Sequence, residues 1–361
     1  MPARSFAGRR WAILLALSAV ICGPSERGGA AGTDAGARLP AARVDPPDPD
    51  TSSAVQAEMR NIHFEIASGV VLNIARLRGA LLPVGPERPP TLDDKYSFTL
   101  RIATAEISID TASLGNLLTN HVFAYPGSPL RSLRIETDGE ELVQRGVLHG
   151  FLPFSMRATV TLTPEGLIRL HPRTMKVFGV GVRRLMGLFG LELEELAKVE
   201  PGRGVRIEGD DFLLDPTAIL PPPRTRGRVT RLVVGNGRVA QTFGGAEPAV
   251  ALAQPGSDSA NYMYFQGGTL RFGKLTMLNT DLLILDDDPT DPFDFFLDRY
   301  NDQLVAGYNR NTPDHGLIVY MPDKGEIGSK DATTGRNGAK AQRRKGATKA
   351  ERRNDAKTQS D

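Results

Sequence analysis

The fold class is decided by the stretch Tyr96-Ser-Phe-Thr-Leu-Arg-Ile-Ala-Thr-Ala-Glu-Ile-Ser-Ile109. Apolar residues take every second position from Tyr96 to Ile102, and the alternation returns at Ile107 and Ile109 with the opposite parity. A period of two residues is that of a β-strand with one buried face. Because a bulge adds one residue to a strand, the change of phase predicts a bulge or kink near Thr104–Glu106.

The same alternation continues along the chain and predicts a sheet. Phe154 to Leu162 alternates cleanly, and Gly235-Asn-Gly237 between two apolar runs is a strong signal for a β-hairpin. Since consecutive strands joined by short turns pair with each other, the pattern favours a mostly antiparallel α+β protein. Shorter strands are predicted at Val70–Leu77, Ser132–Glu136, Leu167–His171, Thr174–Phe178, Val205–Glu208, Val229–Val234 and Val239–Phe243.

The first predicted helix, Ala112–Phe123, has a single apolar stripe and a cap at Thr111 or Ser113. Such a stripe either fills the core or lines a groove for an apolar ligand. The stripe consists of Leu114, Leu117, Leu118, Val122 and Phe123. Its last four residues, Leu117, Leu118, Val122 and Phe123, are the candidate ligand contacts of this helix.

The second predicted helix, Val182–Val199, is apolar around nearly its whole circumference, so it must lie against other apolar groups. Leu185, Leu188 and Phe189 are its candidate ligand contacts, the alternative being an ordinary core role. Arg183 and Arg184 stand at its start, where the helix dipole disfavours cations. These two arginines either bind an anion, such as the phosphate of a lipid headgroup, or are exposed to solvent.

The third predicted helix begins at Asp291-Pro-Phe-Asp294, which reads as a cap, a first-turn proline and an acidic third position. Helical spacing of apolar residues then continues to Asn309. Strands are predicted before this helix at Thr269–Met277 and Asp281–Leu285, and after it at Gly316–Met321. Residues 251–323 are therefore predicted to form a C-terminal ββαβ extension that packs on the main sheet or makes a small second unit.

The two ends of the chain differ from the body in composition. Residues 1–31 combine a basic start, a short apolar run and small residues, which is typical of a secretory signal peptide. Residues 32–57, rich in Ala, Gly, Pro and Asp, are predicted to be a disordered linker before an α+β domain at 58–250. Residues 324–361 are basic and nearly free of apolar residues, so we predict a disordered tail.

Charge and cysteine content exclude several classes of protein. Residues 324–361 carry a net charge of +6 and residues 1–31 a net charge of +3, which leaves −7 for residues 32–323. An acidic body is not typical of a nucleic-acid-binding fold. The tail could approach an anionic membrane or simply aid solubility. The chain has one cysteine, Cys22 in the signal segment, so an intramolecular disulfide is excluded.

Local catalytic signatures are missing from the sequence. There is no G-x-S-x-G elbow, no P-loop and no H-E-x-x-H pair, and we therefore predict a protein that is not an enzyme and needs no cofactor. The acidic run from Asp286 to Asp294 offers oxygen ligands for calcium but lacks the EF-hand pattern, so capping of the following helix is favoured. The remaining catalytic hypothesis is a hydrolase that pairs His315 with one of these aspartates.

The run from Asp110 to Gly245 resembles the LmeA-type phospholipid-binding family, whose fold is related to tubular lipid-binding (TULIP) proteins. The similar elements are Asp110-Thr-Ala-Ser-Leu-Gly-Asn-Leu-Leu118, a ladder of strands, Gly179-Val-Gly-Val182 before an apolar helix, and Gly204-Val-Arg-Ile-Glu-Gly209. The resemblance implies a long curled sheet wrapped around one or two apolar helices, with a groove for acyl chains, outside the cytoplasm. The family's long N-terminal helix has no counterpart, since residues 60–80 alternate as strands do.

These observations predict a periplasmic or secreted protein of the cell envelope that binds or transports phospholipid or another acyl-chain ligand in an apolar groove. Burial of methylene groups alone supplies affinity, so no catalytic residue is needed. The alternative is an envelope scaffold whose apolar residues only fill a closed core. The size of the interior space distinguishes them, because a preformed carrier groove needs several hundred cubic ångströms.

Overall fold

Strands dominate the protein. A computed structural model describes residues 53–148, 150–177, 180–181, 200–245, 252, 260–314 and 316–327. Eleven strands make a large sheet: β1 (Val55–Ala67), β2 (Val70–Pro83), β3 (Phe98–Asp110), β11 (Arg224–Arg226), β12 (Val229–Gly235), β13 (Arg238–Phe243), β14 (Tyr262–Phe272), β15 (Leu275–Asp286), β16 (Phe293–Phe296), β17 (Tyr308–Asn311) and β18 (Leu317–Met321).

A small sheet contains the other seven strands. They are β4 (Leu130–Asp138), β5 (Glu141–Leu148), β6 (Leu152–Leu162), β7 (Ile168–Val177), β8 (Val180–Gly181), β9 (Val205–Glu208) and β10 (Asp211–Leu214). The helical segments of the described residues are α1 (Thr111–Leu117), a π-helical turn at Leu118–Val122, 3₁₀ turns at Leu297–Arg299 and Lys324–Glu326, and α2 (Tyr300–Ala306).

The strand order confirms a sheet-dominated, mostly antiparallel α+β fold. The large sheet runs β12-β13-β3-β2-β1-β14-β15-β18-β17, with β11 beside β3 and β16 beside β1, and the small sheet runs β4-β5-β6-β7-β10-β9 with β8 beside β7. Three pairs are parallel: β1 with β16, β3 with β11 and β15 with β18. Short turns join most consecutive strands, which is why antiparallel pairing prevails.

The phase change in β3 is a bulge, as predicted, and it lies one residue before the predicted range. Ile102 pairs with Gly79 and Thr104 with Arg78, so Ala103 is the extra residue. The bulge returns Ile107 and Ile109 to the face that carries Ile102, and all three are buried. Tyr96, in contrast, precedes β3 and is 71% exposed, so its place in the alternation was wrong.

The β12–β13 hairpin is confirmed. Its turn residues Asn236 and Gly237 have φ of 52° and 72°, as a two-residue type I′ turn requires. The turn also joins the two sheets, because the backbone N–H of Gly237 donates to Oγ1 of Thr137 on β4 at 2.8 Å. The edge of the large sheet at β12 therefore lies against the small sheet.

Helix α1 is shorter than predicted, and its cap is a different residue. It starts at Thr111 and passes into the π-helical turn after Leu117. Asp110, the last residue of β3, is the N-cap and accepts from the backbone N–H of Ser113 at 2.7 Å and from its hydroxyl at 2.9 Å. A carboxylate is a strong capping group that also suits the helix dipole, so it takes the role predicted for Thr111 or Ser113.

The predicted helix Asp291–Asn309 is wrong at both ends, since the helix stops at Ala306 and strand β17 begins at Tyr308. Phe293–Phe296 is β16, which pairs in parallel with β1, and helix α2 begins only at Tyr300. Phe293 and Phe295 are 0% and 2% exposed. Apolar residues at 293, 295 and 296 fit both periods, and burial beside β1 decides for the strand. The acidic run Asp286–Asp294 thus leads into a strand and does not cap a helix.

Several strand boundaries also differ from the prediction. The predicted strand Thr269–Met277 spans the turn between β14 and β15, which lies at Gly273 and Lys274. The predicted strands on either side of Pro172 are one strand, β7, with an irregularity opposite Arg157 and Ala158 that accommodates the proline. The strands β5, β10, β11 and β17 were not predicted at all.

Residues 262–321 continue the large sheet. Strand β14 pairs with β1 from Gln56 to Arg60, and β16 pairs with the same edge of β1 from Ile62 to Glu65. Two strands of the section that was predicted as a C-terminal extension therefore pair directly with β1, the first strand of the large sheet. Strand β1 begins at Val55, three residues before the predicted start of the domain at 58.

Candidate binding cavity

An apolar cavity with a volume of about 100 Å³ lies between the large and the small sheet. All but three of the described residues that line it are apolar. On the large sheet an unbroken row crosses five strands, each residue opposite the next in the pairing register. This row is Phe295, Phe64, Leu72, Ile109 and Val239.

The small sheet supplies the opposite wall of the cavity. Its strands turn one alternating set of side chains toward the large sheet, because neighbouring residues of a strand point to opposite faces. The segment between β10 and β11, which connects the two sheets, closes the wall with Pro216, Ile219 and Leu220. The small-sheet residues on the cavity are Ile135, Leu142, Gln144, Val160, Ile168, Leu170 and Leu214.

Two of the four ligand contacts predicted on the first helix line the cavity. Leu117 and Leu118 are 1% and 6% exposed and are part of the wall. Val122 is buried in the core cluster and Phe123 is half-buried against it, its ring 6.5 Å from that of Tyr125. Neither lines the cavity, because the π-helical turn after Leu117 directs them elsewhere.

The other predicted contacts have no description in this structure. Leu185, Leu188 and Phe189, together with the headgroup candidates Arg183 and Arg184, lie outside the described residues. Their assignment to a ligand site stays a prediction.

Three polar side chains stand on the cavity wall: Gln144 on β5, Thr225 on β11 and Gln241 on β13. Gln144 is 7% exposed and lies between Ile135 of β4 and Met156 of β6. Within the described residues its amide makes no hydrogen bond to a side chain or to the backbone. Charged side chains are absent from the part of the wall that is described.

Most cavity residues were missed by the sequence prediction, which placed ligand contacts only on helices. The inward parity of the predicted strands would have named Ile107, Ile109, Val160 and Val239 directly. Gln144 was missed because the strand that contains it, β5, was not predicted. Gln144 and Gly146 interrupt the apolar face of β5, which therefore has a weak strand pattern.

A second polar group of side chains lies where β1, β16 and the end of β18 meet. Nδ1 of His63 and Oδ1 of Asp294 are 2.8 Å apart, and Oδ1 of Asp323 accepts from the backbone N–H of Asp294 at 2.8 Å. Asn261 donates to Oδ2 of Asp286 at 3.1 Å. No set of three His, Cys, Asp or Glu side chains in the described part of the chain is arranged to hold a metal ion.

The hydrolase hypothesis paired His315 with an aspartate of 286–294. His315 lies outside the described residues, and Asp294 is already hydrogen-bonded to His63. The side chains of His63 and Asp294 are both close to half exposed, and neither residue lines the cavity. The sequence contains no signal for their pairing, since 231 positions separate them.

Burial raises the pKa of Asp286 and of Asp323 to about 6 each, and each carboxylate is further disfavoured by its acidic neighbours. For Asp323 these neighbours are Asp294, Asp291 and Glu326. The folded protein thus keeps a proton on Asp323 to a higher pH than the unfolded chain. The stability linked to this proton is present below about pH 4 and is lost as the pH rises through about 6.

We expect Asp323→Asn to raise the free energy of unfolding at pH 8 by about 1 kcal/mol, after allowance for solvent screening, and to have little effect near pH 4. Urea denaturation at both pH values measures this difference. Asp210→Asn, at an exposed turn, is the control and should show no such change with pH. An equal effect of Asp323→Asn at both pH values would contradict the assignment.

No family model, curated protein or solved structure matches the chain. The resemblance to LmeA-type proteins therefore stays a prediction. Among the described residues, no helix has the length and apolar character needed to cross a membrane.

Proposed function

We propose that the protein is a non-catalytic carrier that binds an acyl-chain lipid, such as a phospholipid, in the cavity between its two sheets, outside the cytoplasm. The observation that carries this proposal is the lining of the cavity, which comes from both sheets and α1 and is apolar at all but three described residues. The N-terminal segment 1–31, with the composition of a secretory signal, supports the extracytoplasmic location.

The energy of such binding comes from buried methylene groups. Each contributes about 0.8 kcal/mol, so ten of them contribute about 8 kcal/mol. This corresponds to a micromolar dissociation constant before the costs of ordering the ligand are subtracted. An apolar wall is thus sufficient for useful affinity without a charged anchor.

The volume of about 100 Å³ is below the roughly 300–1,000 Å³ of ordinary ligand sites. The proposal therefore includes widening of the cavity as the chain is inserted. The segment between β10 and β11 is the part of the wall that belongs to neither sheet, with Ile219 and Leu220 facing the interior. Moving this segment outward therefore disturbs fewer strand pairings than moving either sheet.

The test is native mass spectrometry, with solvent extraction, of the full chain purified without detergent from the periplasm of a heterologous host. We expect a co-purifying lipid in stoichiometric amount. Ile135→Phe places a larger side chain in the cavity and should reduce the lipid load at least about fivefold, at a tolerable cost in stability.

Val233→Phe is the matched control, since Val233 stands on β12 outside the cavity and is 48% exposed. It should keep the full load. An undiminished load in Ile135→Phe would place the ligand elsewhere. A wild-type protein that carries no lipid and takes up none from added vesicles would refute the proposal.

The small volume itself favours the second candidate function, an envelope scaffold with a closed core. In that case the apolar wall only stabilises the packing of the two sheets, and the partners bind the acidic body of the protein. The same experiment decides between them, because a scaffold takes up no lipid whatever variant is used.

A further inference from the structure

We propose that the amide of Gln144 is the polar recognition group of the cavity, and that it binds the neutral carbonyl of an ester-linked acyl chain. This inference rests on the proposed function and specifies its ligand. The observation behind it is the position of a hydrogen-bonding side chain in the middle of an apolar wall.

Gln144 stands on the inward face of β5, two residues after Leu142. Its neighbours across the sheet are Ile135, which has no hydrogen-bonding side chain, and Met156, whose thioether sulfur is only a weak acceptor. The residue is 7% exposed and lines the cavity, and no hydrogen bond reaches its side chain from the described residues. The amide thus faces the interior with its donors and its acceptor unused.

An amide in an apolar wall that makes no hydrogen bond to the protein costs stability, and the N and O atoms of Gln144 are not fully enclosed but keep accessible surface. An apolar residue at this position would complete the wall at lower cost. A ligand that brings a hydrogen-bond acceptor to this point would remove the penalty, which gives a physical reason for a glutamine at position 144.

A second amide stands on the opposite wall of the same cavity. Gln241 of β13 lies between Ile107 of β3 and Leu232 of β12, and in the described part of the structure its side chain is likewise without a hydrogen bond. Two neutral amides therefore offer donors to one interior space. An ester has two oxygens that accept and none that donates, which complements the N–H groups of these amides.

The absence of charge on the described wall defines the class of ligand further. A carboxylate or phosphate beside the described part of the wall would lose its hydration without gaining a cationic partner from those residues, and this is strongly unfavourable. The buried polar group of the ligand must then be neutral. We infer an esterified acyl chain whose charged headgroup, where it has one, stays outside the cavity.

The experiment compares three probes on the full chain: methyl decanoate, tridecane with the same number of non-hydrogen atoms, and decanoate at pH 8. Competition with a fluorescent apolar dye measures their affinities. Because the alkane is the more hydrophobic probe, the affinities for ester and alkane are each compared with the partitioning of that probe from water into hexadecane. Relative to this partitioning, we expect the wild-type protein to prefer the ester at least about tenfold, the range that one or two net hydrogen bonds supply. Decanoate should have the lowest affinity of the three.

Gln144→Leu should abolish the preference for the ester while alkane binding persists. Gln144→Met, which keeps the unbranched shape, serves as a second variant and should behave in the same way. Gln56→Leu, on the exposed face of β1, is the control and should keep the preference. These results together would support the assignment.

An ester preference that survives in both Gln144 variants would overturn the inference and leave the proposed function intact. Tighter binding of decanoate than of the ester would also overturn it. If no probe binds to the wild-type protein, both the inference and the proposed function fail. Failure of the inference alone is therefore distinguished from failure of the proposed function.

Discussion

Replacing Gly79 with alanine is expected to lower the free energy of unfolding by at least about 3 kcal/mol. Gly79 lies in β2 between two long strands, opposite Ala57 of β1 and Ile102 of β3. A Cβ atom at this position would stand 2.1 Å from the carbonyl oxygen of Arg101, which belongs to the backbone and cannot rotate away. The two strands would have to separate beside the bulge at Ala103.

Chemical denaturation followed by circular dichroism measures this loss. Gly85→Ala is the matched control, because the space around Gly85 is open within 4 Å, and it should change stability by less than about 1 kcal/mol. Equal stability of the Gly79→Ala and wild-type proteins would show that β2 and β3 do not approach each other as described.

Gln303→Leu is expected to cost about 3–5 kcal/mol. The side chain of Gln303 is completely buried on α2. Its Oε1 accepts from the backbone N–H of Phe296 at 2.9 Å, while Nε2 donates to the carbonyl oxygens of Asp294 at 2.7 Å and of Pro322 at 3.0 Å. Leucine has nearly the same volume, so it removes the hydrogen bonds and leaves three buried backbone groups without a partner.

The control for this variant is again Gln56→Leu, which makes the same chemical change on the exposed face of β1 and should alter stability by less than about 0.5 kcal/mol. The midpoint of urea denaturation compares the two. A small effect of Gln303→Leu would mean that water replaces the lost amide, and that this side chain does not join α2 to β16 and the end of β18.

Local patterns predicted a large part of the fold. The parity of Phe98, Ile102, Ile107 and Ile109 was enough to predict both a strand and its bulge, because every one of these residues faces the same core. The dipeptide Asn236-Gly237 predicted a hairpin, since few other residues adopt positive φ at both central positions of a turn.

The same reasoning failed where two periods fit one segment. Phe293, Phe296 and Tyr300 have helical spacing, yet β1 offers a free edge at Ile62–Glu65 and pairs with residues 293–296 as a strand. That edge comes from a part of the chain about 230 residues away, so no local pattern could reveal it. Strand β5 was missed for a related reason, because Gln144 and Gly146 interrupt its apolar face.

For the candidate site, the sequence indicated the chemical character of the wall but not which residues compose it. Leu117 and Leu118 were predicted contacts that line the cavity, whereas Val122 and Phe123, at the end of the π-helical turn Leu118–Val122, do not. The sheet residues that make most of the wall come from distant strands.

By itself the sequence determined that strands dominate the fold, and it also determined the bulge in β3, the β12–β13 hairpin and the apolar nature of the interior, because each depends on neighbours within a few residues. Only the tertiary structure decided that β16 joins β1, that Asp110 caps α1, and that Gln144 lies on the cavity wall without a hydrogen bond from the described residues. These features depend on which distant segments meet, and that choice is made by the burial of whole faces of the two sheets rather than by any local preference.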